Sequence, residues 1–382
     1  VDLTLVHLST HKGEDSKYWC FPLLDFIASS VQMETKMIPL GLLLFVAAAS
    51  AVDVNDIKQL EAAKNSQRIT LRNINVPAGV TLDLGKLKTG TVVEFAGEIT
   101  FGYKEWEGPL ILIGGSNIKV EGKPGHLINC QGERWWDDRG GHWGKKKPKL
   151  LYARLTDSTI DGLKIKNVPV HGISIFNCKN LVITGVDFNA AEGDHKGAHN
   201  TDAFNVGTSE NIRISDNFIH NQDDCLAINS GKNITFERNT CIGGHGISIG
   251  SIGGRKNNVV QDVKVRNCKV LDSENGIRIK TVKDATGEVK NILFDDVELK
   301  NIVKQGIVIQ GNYLNSGPQG DPTGGVPITG VTINNVRGNV LPGGVNVYVW
   351  VANASNWKWS NVKVTGGKKD LGQKGVPPGV KW

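Results

Sequence analysis

Acidic residues recur at a constant position in successive segments of this sequence. Asp202 lies ten residues before Ile212, Asp224 lies ten residues before Ile234, and His245 follows Asp224 by 21 residues. If the chain repeats with this period, these side chains stack on one face. Neighbouring carboxyl groups of this kind perform general acid–base chemistry, in which a protonated acid donates a proton and an ionised one activates water.

Further charged residues are expected in the same groove. Asp223 directly precedes Asp224, and crowded carboxylates repel one another, which raises the pKa of at least one and leaves a proton available. Arg278 and Lys280 flank Ile279, so on a strand both cations leave one face while the isoleucine points inward. A guanidinium fork beside the point charge of an ammonium suits a substrate that carries carboxylates.

The repeat that positions these residues is built on apolar side chains at alternate positions, which indicate short strands with one inward face. The anchors recur every 22 to 39 residues: Leu181/Ile183, Ile212/Ile214, Ile234/Phe236, Val263/Val265, Ile292/Phe294 and Val331/Ile333. An asparagine precedes several anchors directly, at Asn180, Asn211, Asn233 and Asn291. Asparagine tolerates the left-handed conformation of a tight turn, so these residues are predicted to stack at one corner.

One such turn cannot bury its own inner face, whereas stacked turns share a continuous core. The sequence therefore predicts an all-β, single-domain, right-handed parallel β-helix. Glycine supplies 46 of 382 residues, about 12% against a usual ~7%, which fits many tight turns. A leucine-rich horseshoe and a propeller are disfavoured because their repeat patterns are missing. Residues 53–63 are expected to form a short N-terminal helix that caps the open end of the core.

The first 51 residues are predicted to lie outside this domain. Residues 1–36 are interpreted as an upstream leader that is not in the native protein, and residues 37–51 as a secretory signal peptide cleaved after Ala51. The apolar run is shorter than the roughly 20 residues of a membrane span. The catalytic domain would be residues 52–382 of a secreted, extracellular protein without a membrane anchor.

Charge and cysteine content fit that compartment. Residues 52–382 hold 41 Lys and Arg against 33 Asp and Glu, a net charge of +8. A solvated surface explains this charge equally well, but secretion favours an acidic extracellular polysaccharide over nucleic acid as partner. Of five cysteines, Cys225 and Cys241 flank 15 residues and are the predicted disulfide, while Cys178 and Cys268 are expected to pack as small apolar residues. No Cys/His spacing typical of zinc is present, and no metal or cofactor is predicted.

Four short runs resemble those of the polygalacturonases, pectin-degrading enzymes of the glycoside hydrolase family 28 type. They occur in the order Asn200-Thr201-Asp202, Gln222-Asp223-Asp224, Gly244-His245-Gly246 and Arg278-Ile279-Lys280, within a resemblance over residues 110–350. The resemblance implies an inverting hydrolysis of α-1,4-galacturonosidic bonds in pectin and polygalacturonan, with endo action. It also implies a monomer that polygalacturonase-inhibiting proteins bind.

The same resemblance assigns roles to residues. Asp223 corresponds to the general acid, Asp202 and Asp224 to the pair that activates water, and His245 to a residue that keeps the acid protonated or positioned. The implied substrate-binding residues are Arg278, Lys280, Tyr313 and Asn200. Because neighbours on a regular strand point to opposite faces, a turn or bulge must swing Asp223 into the groove.

Other functions make different demands on the sequence. A pectate lyase would need calcium-binding acids and an arginine base, and it would respond to EDTA and release unsaturated products. A rhamnogalacturonan hydrolase is disfavoured by the two cations that suit a uronate at the cleavage point, and an inactive pectin-binding relative by the complete set of acids.

The loops 133–149 and 315–326 decide between internal and terminal cleavage. Trp135 and Trp136 are predicted to pack the first loop down, and Asn353 is the candidate glycosylation site.

Overall fold

The computed structural model describes residues 51–382 except 142 and 370. The predicted leader and all of the predicted signal peptide except Ala51 lie outside these residues. Within them the chain forms thirty strands that pair in parallel with strands of the preceding and following turns. No helix among the described residues is long and apolar enough to cross a membrane. The predicted right-handed parallel β-helix is confirmed.

Most of the strands are short, as expected for turns of a solenoid. The first fifteen are β1 Ala51–Val54, β2 Arg68–Arg72, β3 Asn75–Val76, β4 Leu82–Leu84, β5 Val92–Ala96, β6 Glu98–Phe101, β7 Ile111–Ser116, β8 Lys119–Gly122, β9 Leu127–Asn129, β10 Leu151–Asp161, β11 Lys164–Lys166, β12 Ile173–Phe176, β13 Lys179–Thr184, β14 Asp187–Asn189 and β15 Phe204–Gly207. The others are β16 Ser209–Ser215, β17 Phe218–His220, β18 Leu226–Ile228, β19 Gly231–Glu237, β20 Thr240–Ile242, β21 Ile247–Ile252, β22 Val259–Leu271, β23 Asn275–Val282, β24 Glu288–Ile302, β25 Gln305–Tyr313, β26 Ile328–Val340, β27 Val345–Trp350, β28 Ala354–Ser355, β29 Lys358–Ser360 and β30 Lys363–Thr365.

The strands stack in three columns, one on each side of the solenoid. One column, called the groove column here, contains β4, β7, the start of β10, β12, β15, β18, β21, β23, β25 and β27. A second column holds the predicted anchors, and a third contains β3, β6, β9, β11, β14, β17 and β20. The long strands β22, β24 and β26 continue from the second column into the third.

The predicted repeat register is confirmed residue by residue. Leu181 pairs with Ile212, Ile212 with Ile234 and Ile234 with Val263. The ladder continues through Ile292 to Val331. These side chains are at most 1% exposed, so each turn adds a layer to one continuous apolar core.

The predicted asparagine corner is confirmed as well. Asn180, Asn211, Asn233 and Asn291 all have φ between 52° and 56°, the left-handed region. Asn211 Nδ2 donates to Asn180 Oδ1 and Asn233 Nδ2 donates to Asn211 Oδ1, both at 2.8 Å. Asp262 takes the next place, where its Oδ1 accepts from Asn291 Nδ2 at 2.9 Å. Asparagine serves here because its side chain both donates and accepts along the stack.

The N-terminal cap is shorter than predicted. The expected helix at residues 53–63 is in fact the end of β1, a 3₁₀ turn at Ile57–Gln59 and one helical turn, α1, at Leu60–Ala63. Asp56 starts the turn with a capping box, in which its side chain accepts from Lys58 N and Gln59 contacts the Asp56 backbone. Residues 51–54 extend instead because they pair with β2.

The cysteines divide as predicted. Cys225 and Cys241 form a disulfide that joins neighbouring turns, and Cys130, Cys178 and Cys268 are free and buried.

At the C-terminal end, where no disulfide was expected, tryptophans close the core instead. The rings of Trp357 and Trp359 stack 5.8 Å apart.

Candidate active site

One position of the groove column holds a row of polar residues on successive turns. Gly172 N donates to Asp202 O, Ala203 N to Asp224 O and Cys225 N to Gly246 O, at 2.8 to 3.0 Å. These bonds bring His171, Asp202, Asp224 and His245 into the same register on four adjacent turns. The predicted phase relationship between the two aspartates and the histidine is therefore correct.

Asp223 reaches the groove because the chain turns between β17 and β18. The side chain of Asn221 is fully buried, and its Nδ2 donates to the carbonyls of Thr201, Asp223 and Asp224 at 2.9 to 3.1 Å. Asp223 O in turn accepts from His245 N at 2.7 Å. These bonds fix residues 221–224 in a turn that departs from regular strand geometry, as predicted, and the turn lets Asp223 face the groove.

Asp224 lies beneath the two cations of β23. Its Oδ2 is 2.9 Å from Lys280 Nζ, and its Oδ1 is 2.5 Å from Arg278 Nη2. Ser248 Oγ also donates to Asp224 Oδ1 at 2.7 Å and accepts from Arg278 Nε at 2.9 Å. The charged side chains are at most 10% exposed, so the sequence is right that Arg278 and Lys280 share a face but does not foresee that both pair with Asp224.

His245 joins Asp223 to a further ion pair. Its Nδ1 lies 3.1 Å from Asp223 Oδ1, and its Nε2 lies 3.5 Å from Glu274 Oε2. Glu274 Oε1 forms an ion pair with Lys304 Nζ, 2.9 Å away. An imidazole between two carboxylates is stabilised as a cation.

The pKa directions of this pair follow from the geometry. Burial alone would raise the pKa of Asp223, but the hydrogen bond and charge of His245, with Lys280 and Arg278, hold it well below its usual range. Burial lowers the pKa of His245, but Asp223 and then Glu274 outweigh this effect and raise it. The pair therefore carries one proton, which rests on the His245 imidazole as an ion pair with the Asp223 carboxylate.

Asp202 is the acid without a cation in contact. Burial, followed by the charges of Asp223 and Asp224, raises its pKa well above the usual value. Its buried Oδ1 has no hydrogen-bond partner, and His171 Nε2 lies 3.7 Å from that oxygen. The crowded carboxylates were expected to raise the pKa of at least one acid. The acid whose pKa is raised is Asp202, whereas the pKa of Asp223 is lowered.

The two remaining predicted substrate residues line the same groove. Tyr313 lies at the end of β25, and Lys280 Nζ lies 5.1 Å from the centre of its ring. Asn200 donates from Nδ2 to Asp223 Oδ2 at 2.9 Å, and its Oδ1 accepts from Gly141 N at 2.9 Å. All eight predicted site residues are therefore brought together, although the Asn200 amide contacts the protein at both ends.

The groove is long and basic. It has a volume of about 1430 Å³ and is lined by seven strands of the groove column, from β10 to β25. At about 4.8 Å between neighbouring strands, its floor is roughly 29 Å long. Its lining carries four acids, Asp202, Asp223, Asp224 and Glu274, against seven cations, Lys149, Arg154, Arg255, Lys256, Arg278, Lys280 and Lys304.

Three residues that contact the aspartates or His245 were missed by the sequence reasoning. His171 could have been found, because it precedes Asp202 by one turn in the same phase. Glu274 lies four residues before Arg278, but no spacing rule places it beside His245. Ser248 on β21 pairs with Ala227 of β18, and its hydroxyl reaches the carboxylate of Asp224 just before that strand, a contact that only the register of β18 and β21 reveals.

Asp223, Asp224 and His245 also form a group that could hold a metal ion, with one ligand atom from each within 4.8 Å of the others. Both oxygens of Asp224 already contact cationic side chains, at Arg278 and Lys280. Two positive charges therefore occupy the place where a metal would neutralise Asp224.

Trp135 and Trp136 pack the loop 133–149 against the solenoid, as predicted. They are 0% and 6% exposed, and their Nε1 atoms donate to the carbonyls of Lys104 and Val168. Lys149, at the end of this loop, lines the groove. The loop thus forms a fixed wall near one end of the site.

A parallel β-helix whose long groove holds three aspartates, a histidine and paired cations defines a carbohydrate-cleaving hydrolase of the β-helical type. Residues 66–381 match the family described as Glycosyl hydrolases family 28, and the chain belongs to that family. This match extends beyond residues 110–350, the range over which the sequence motifs resemble the family.

Similar proteins carry names of one activity. "Endopolygalacturonase 1" of Colletotrichum lindemuthianum is 52% identical over 334 residues, which cover 87% of this chain and 92% of that protein. A "Polygalacturonase" of Penicillium griseoroseum is 49% identical over 347 residues, covering 89% of this chain and 92% of that protein.

Solved structures share the fold. Endopolygalacturonase I from Stereum purpureum, complexed with two galacturonates, is 32% identical and has a TM-score of 0.74, covering 83% of this chain and 95% of that one. An endo-xylogalacturonan hydrolase from Aspergillus tubingensis is 23% identical, with a TM-score of 0.65 over 81% of this chain and 91% of that one. At that identity the second likeness supports the fold alone.

Proposed function

We propose that this chain is an endo-acting polygalacturonase that hydrolyses α-1,4-galacturonosidic bonds in pectin and polygalacturonan. The observation that carries the proposal is the convergence of Asp202, Asp223 and Asp224 in a groove lined by cations. Glycosidic hydrolysis needs one proton donor and one carboxylate that activates water, and the site offers both. The names of the similar proteins agree with this activity.

The proton for the leaving oxygen comes from Asp223. At rest the proton lies on His245, whose Nδ1 is 3.1 Å from Asp223 Oδ1, so it passes to Asp223 before Asp223 donates it to the leaving oxygen, and His245 then takes up a new proton. Lys280 and Arg278 lie close enough to stabilise the negative charge that Asp223 then carries.

The attacking water is held by Asp202 and Asp224. Asp224 is held between two cationic side chains, whereas Asp202 lines the groove without an ion pair to Arg278 or Lys280, which leaves its carboxylate available to a water. Asp202 activates water only when ionised, and its raised pKa moves that ionisation upward. Activity should therefore rise with pH as Asp202 ionises and fall when the Asp223–His245 pair loses its shared proton.

The charge of the groove fits a polyuronate. A galacturonan carries one carboxylate on each sugar, and the seven cations exceed the four acids of the groove. Arg278 and Lys280, next to the acids, are placed to contact the carboxylate of the sugar at the cleavage point while remaining paired to Asp224.

The length of the groove fits internal cleavage. Its floor continues on both sides of the acids, toward Arg154 on β10 and toward Gln310 on β25. A volume of about 1430 Å³ exceeds the roughly 300–1,000 Å³ of a pocket for a single small molecule. A polymer could therefore lie across the acids with sugars on either side.

Asparagine substitutions test this assignment. Asp202→Asn, Asp223→Asn and Asp224→Asn should each lower kcat on polygalacturonic acid by roughly 10²–10⁴-fold, with circular dichroism unchanged. The wild-type protein should lower viscosity well before reducing ends accumulate, and it should form no unsaturated product. Near-normal activity of all three variants would refute the site, and unsaturated product that EDTA abolishes would indicate a lyase.

Secretion remains a proposal that rests on the predicted signal peptide, and it accords with the disulfide, which persists in oxidising compartments. Binding by polygalacturonase-inhibiting proteins and a monomeric state are likewise proposed. N-terminal sequencing of the secreted protein should begin at Val52, and a start upstream of Met37 would contradict the cleavage site.

A further inference from the structure

A buried ion pair lies outside the acid cluster, inside the loop 133–149. The side chain of Lys147 is 1% exposed, and its Nζ is 2.7 Å from Asp137 Oδ1. The same Nζ donates to Gly140 O at 2.8 Å and to Lys145 O at 3.1 Å. A buried ion pair adds little net stability over apolar residues of the same volume, so a role in fixing local geometry accounts for it better.

Both carboxylate oxygens of Asp137 also accept hydrogen bonds from backbone N–H groups of the same turn. Asp137 Oδ2 accepts from Lys145 N at 2.8 Å, and Asp137 Oδ1 accepts from Arg139 N at 3.2 Å. Asp138 N donates to Gly197 O at 3.0 Å, which ties the turn to the segment before Asn200. Side-chain and backbone bonds thus fix the path of residues 137–141 and 143–147 on both sides of the ion pair.

The tip of this turn contacts Asn200. Gly141 N donates to Asn200 Oδ1 at 2.9 Å. Gly140 has φ +65°, and a Cβ at that position would lie 2.2 Å from the same oxygen. Only glycine therefore lets the turn approach the amide this closely.

The other end of the amide contacts the proposed general acid. Asn200 Nδ2 donates to Asp223 Oδ2 at 2.9 Å. An amide has a donor end and an acceptor end, so the bond from Gly141 determines which end faces Asp223. With the amide reversed, a carbonyl oxygen would face the carboxylate and repel it.

We propose that the buried Lys147–Asp137 pair is a positioning device for Asp223, which acts through the Gly140–Gly141 turn and the orientation of the Asn200 amide. Among the described residues, neither Lys147 nor Asp137 forms a hydrogen bond or ion pair with Asp202, Asp223 or Asp224, and neither lines the groove. They hold the turn, the turn holds Asn200, and Asn200 holds one oxygen of Asp223. The inference rests on the proposed function, since it assumes that Asp223 is the proton donor.

A double-mutant cycle tests this coupling. Lys147→Met and Asn200→Ala should each lower kcat on polygalacturonic acid by roughly 10- to 100-fold, because small misplacements of a reacting group have effects of this size. KM should stay within about twofold, and the double variant should be no slower than the slower single variant, since both changes break one chain of contacts. Lys123→Met is the matched control, because it breaks the ion pair with the buried Glu94 far from the groove and should leave kcat unchanged.

Two outcomes would overturn the inference: losses in kcat that multiply in the double variant, or a kcat for Lys147→Met equal to that of Lys123→Met. If Lys147→Met does not fold, Gly140→Ala replaces it in the cycle, since the added methyl group meets Asn200 Oδ1. Asp223→Asn separates the two levels of the argument. If that variant is fully active, the proposed function fails, whereas an inactive Asp223→Asn beside an unaffected Lys147→Met refutes only the positioning role.

Discussion

Asp202 and Asp224 occupy the same position on adjacent turns, yet among the described residues only Asp224 of the two forms ion pairs with lysine and arginine side chains. Arg278 and Lys280 hold both oxygens of Asp224, whereas Asp202 Oδ1 is buried without a hydrogen-bond partner. The repeat thus presents two identical side chains at one site in opposite electrostatic environments. Such a difference lets chemically identical acids take different roles.

The first prediction concerns the stability cost of Asp202. Its pKa is raised, so the folded state holds this proton more tightly than the unfolded state, and the free energy of unfolding should fall as pH rises from the unfolded to the folded pKa. Asp202→Asn should remove this fall, by about 1.4 kcal/mol for each unit of the shift, and so melt higher than the wild type at neutral pH. Melting temperatures from pH 3 to 8 would measure it.

The exposed Asp284 provides the matched control for that experiment. Asp284→Asn removes one carboxylate from the surface and should leave the pH dependence of the melting temperature as in the wild type. If Asp202→Asn melted at the wild-type temperature throughout this range, the buried charge would have no stability cost and the reasoning would fail.

The second prediction concerns the basic side of the pH profile. The pKa of His245 is raised chiefly by Asp223, against burial, so the pair should keep its proton above the usual range of a histidine. In His245→Ala, Asp223 must hold the proton alone, so the basic limb of kcat/KM should move to lower pH and the maximum should fall by about 10²-fold. The exposed His195→Ala is the control, and an unmoved limb in His245→Ala would exclude the shared proton.

The third prediction concerns the pairing of Lys280 with Asp224. Lys280→Met should destabilise the fold by up to about 3–5 kcal/mol, because it removes a partner from a buried carboxylate. Adding Asp224→Asn should restore much of the melting temperature without restoring activity. Lys374→Ala, which breaks an exposed pair with Asp321, should leave the melting temperature close to the wild-type value. No recovery in the double variant would mean that Lys280 acts on stability without Asp224.

The fourth prediction concerns the disulfide beside the acid turn. Cys225 follows Asp224 directly, and its bond to Cys241 closes a loop with a sequence separation of 16. Replacing both cysteines by alanine should lower the free energy of unfolding by about 3 kcal/mol. Dithiothreitol should lower the melting temperature of the wild type but not of the double variant, and an equal response of both would show that the bond does not stabilise the fold.

The sequence predicts the course of the backbone more completely than the contacts between side chains. Alternating apolar anchors fix the strand register, because a slip of one residue would expose the core face, and Leu181 pairs with Ile212 as expected. The same phase places Asp202 and Asp224. Glu274 and Ser248 could not be foreseen, since their contacts depend on side-chain directions between turns. The helix predicted at residues 53–63 is confined to residues 57–63 in the structure, because residues 51–54 pair with β2 as a strand.

The last prediction concerns stereochemistry, for which the simplest distance argument points the wrong way. One oxygen of Asp223 and one of Asp224 lie within 4.8 Å of each other, near the separation of about 5–5.5 Å that is typical of retaining glycosidases. A retaining mechanism would need a carboxylate free to attack carbon. Both oxygens of Asp224 are held by Arg278, Lys280 and Ser248, which fixes the carboxylate and reduces its nucleophilicity.

Asp202 lines the groove without an ion pair to Arg278 or Lys280, and it stacks with Asp224 on the adjacent turn, so the two carboxylates can hold a water between them. The relevant separation then runs from that water, across the sugar, to Asp223. We therefore expect inversion, with β-configuration at the new reducing end when freshly cleaved oligogalacturonate is followed by ¹H NMR before mutarotation. Asp284→Asn, remote from the acids, should give the same initial anomer. An α-anomer as first product would mean a covalent aspartyl intermediate, and the roles proposed for all three aspartates would have to be abandoned.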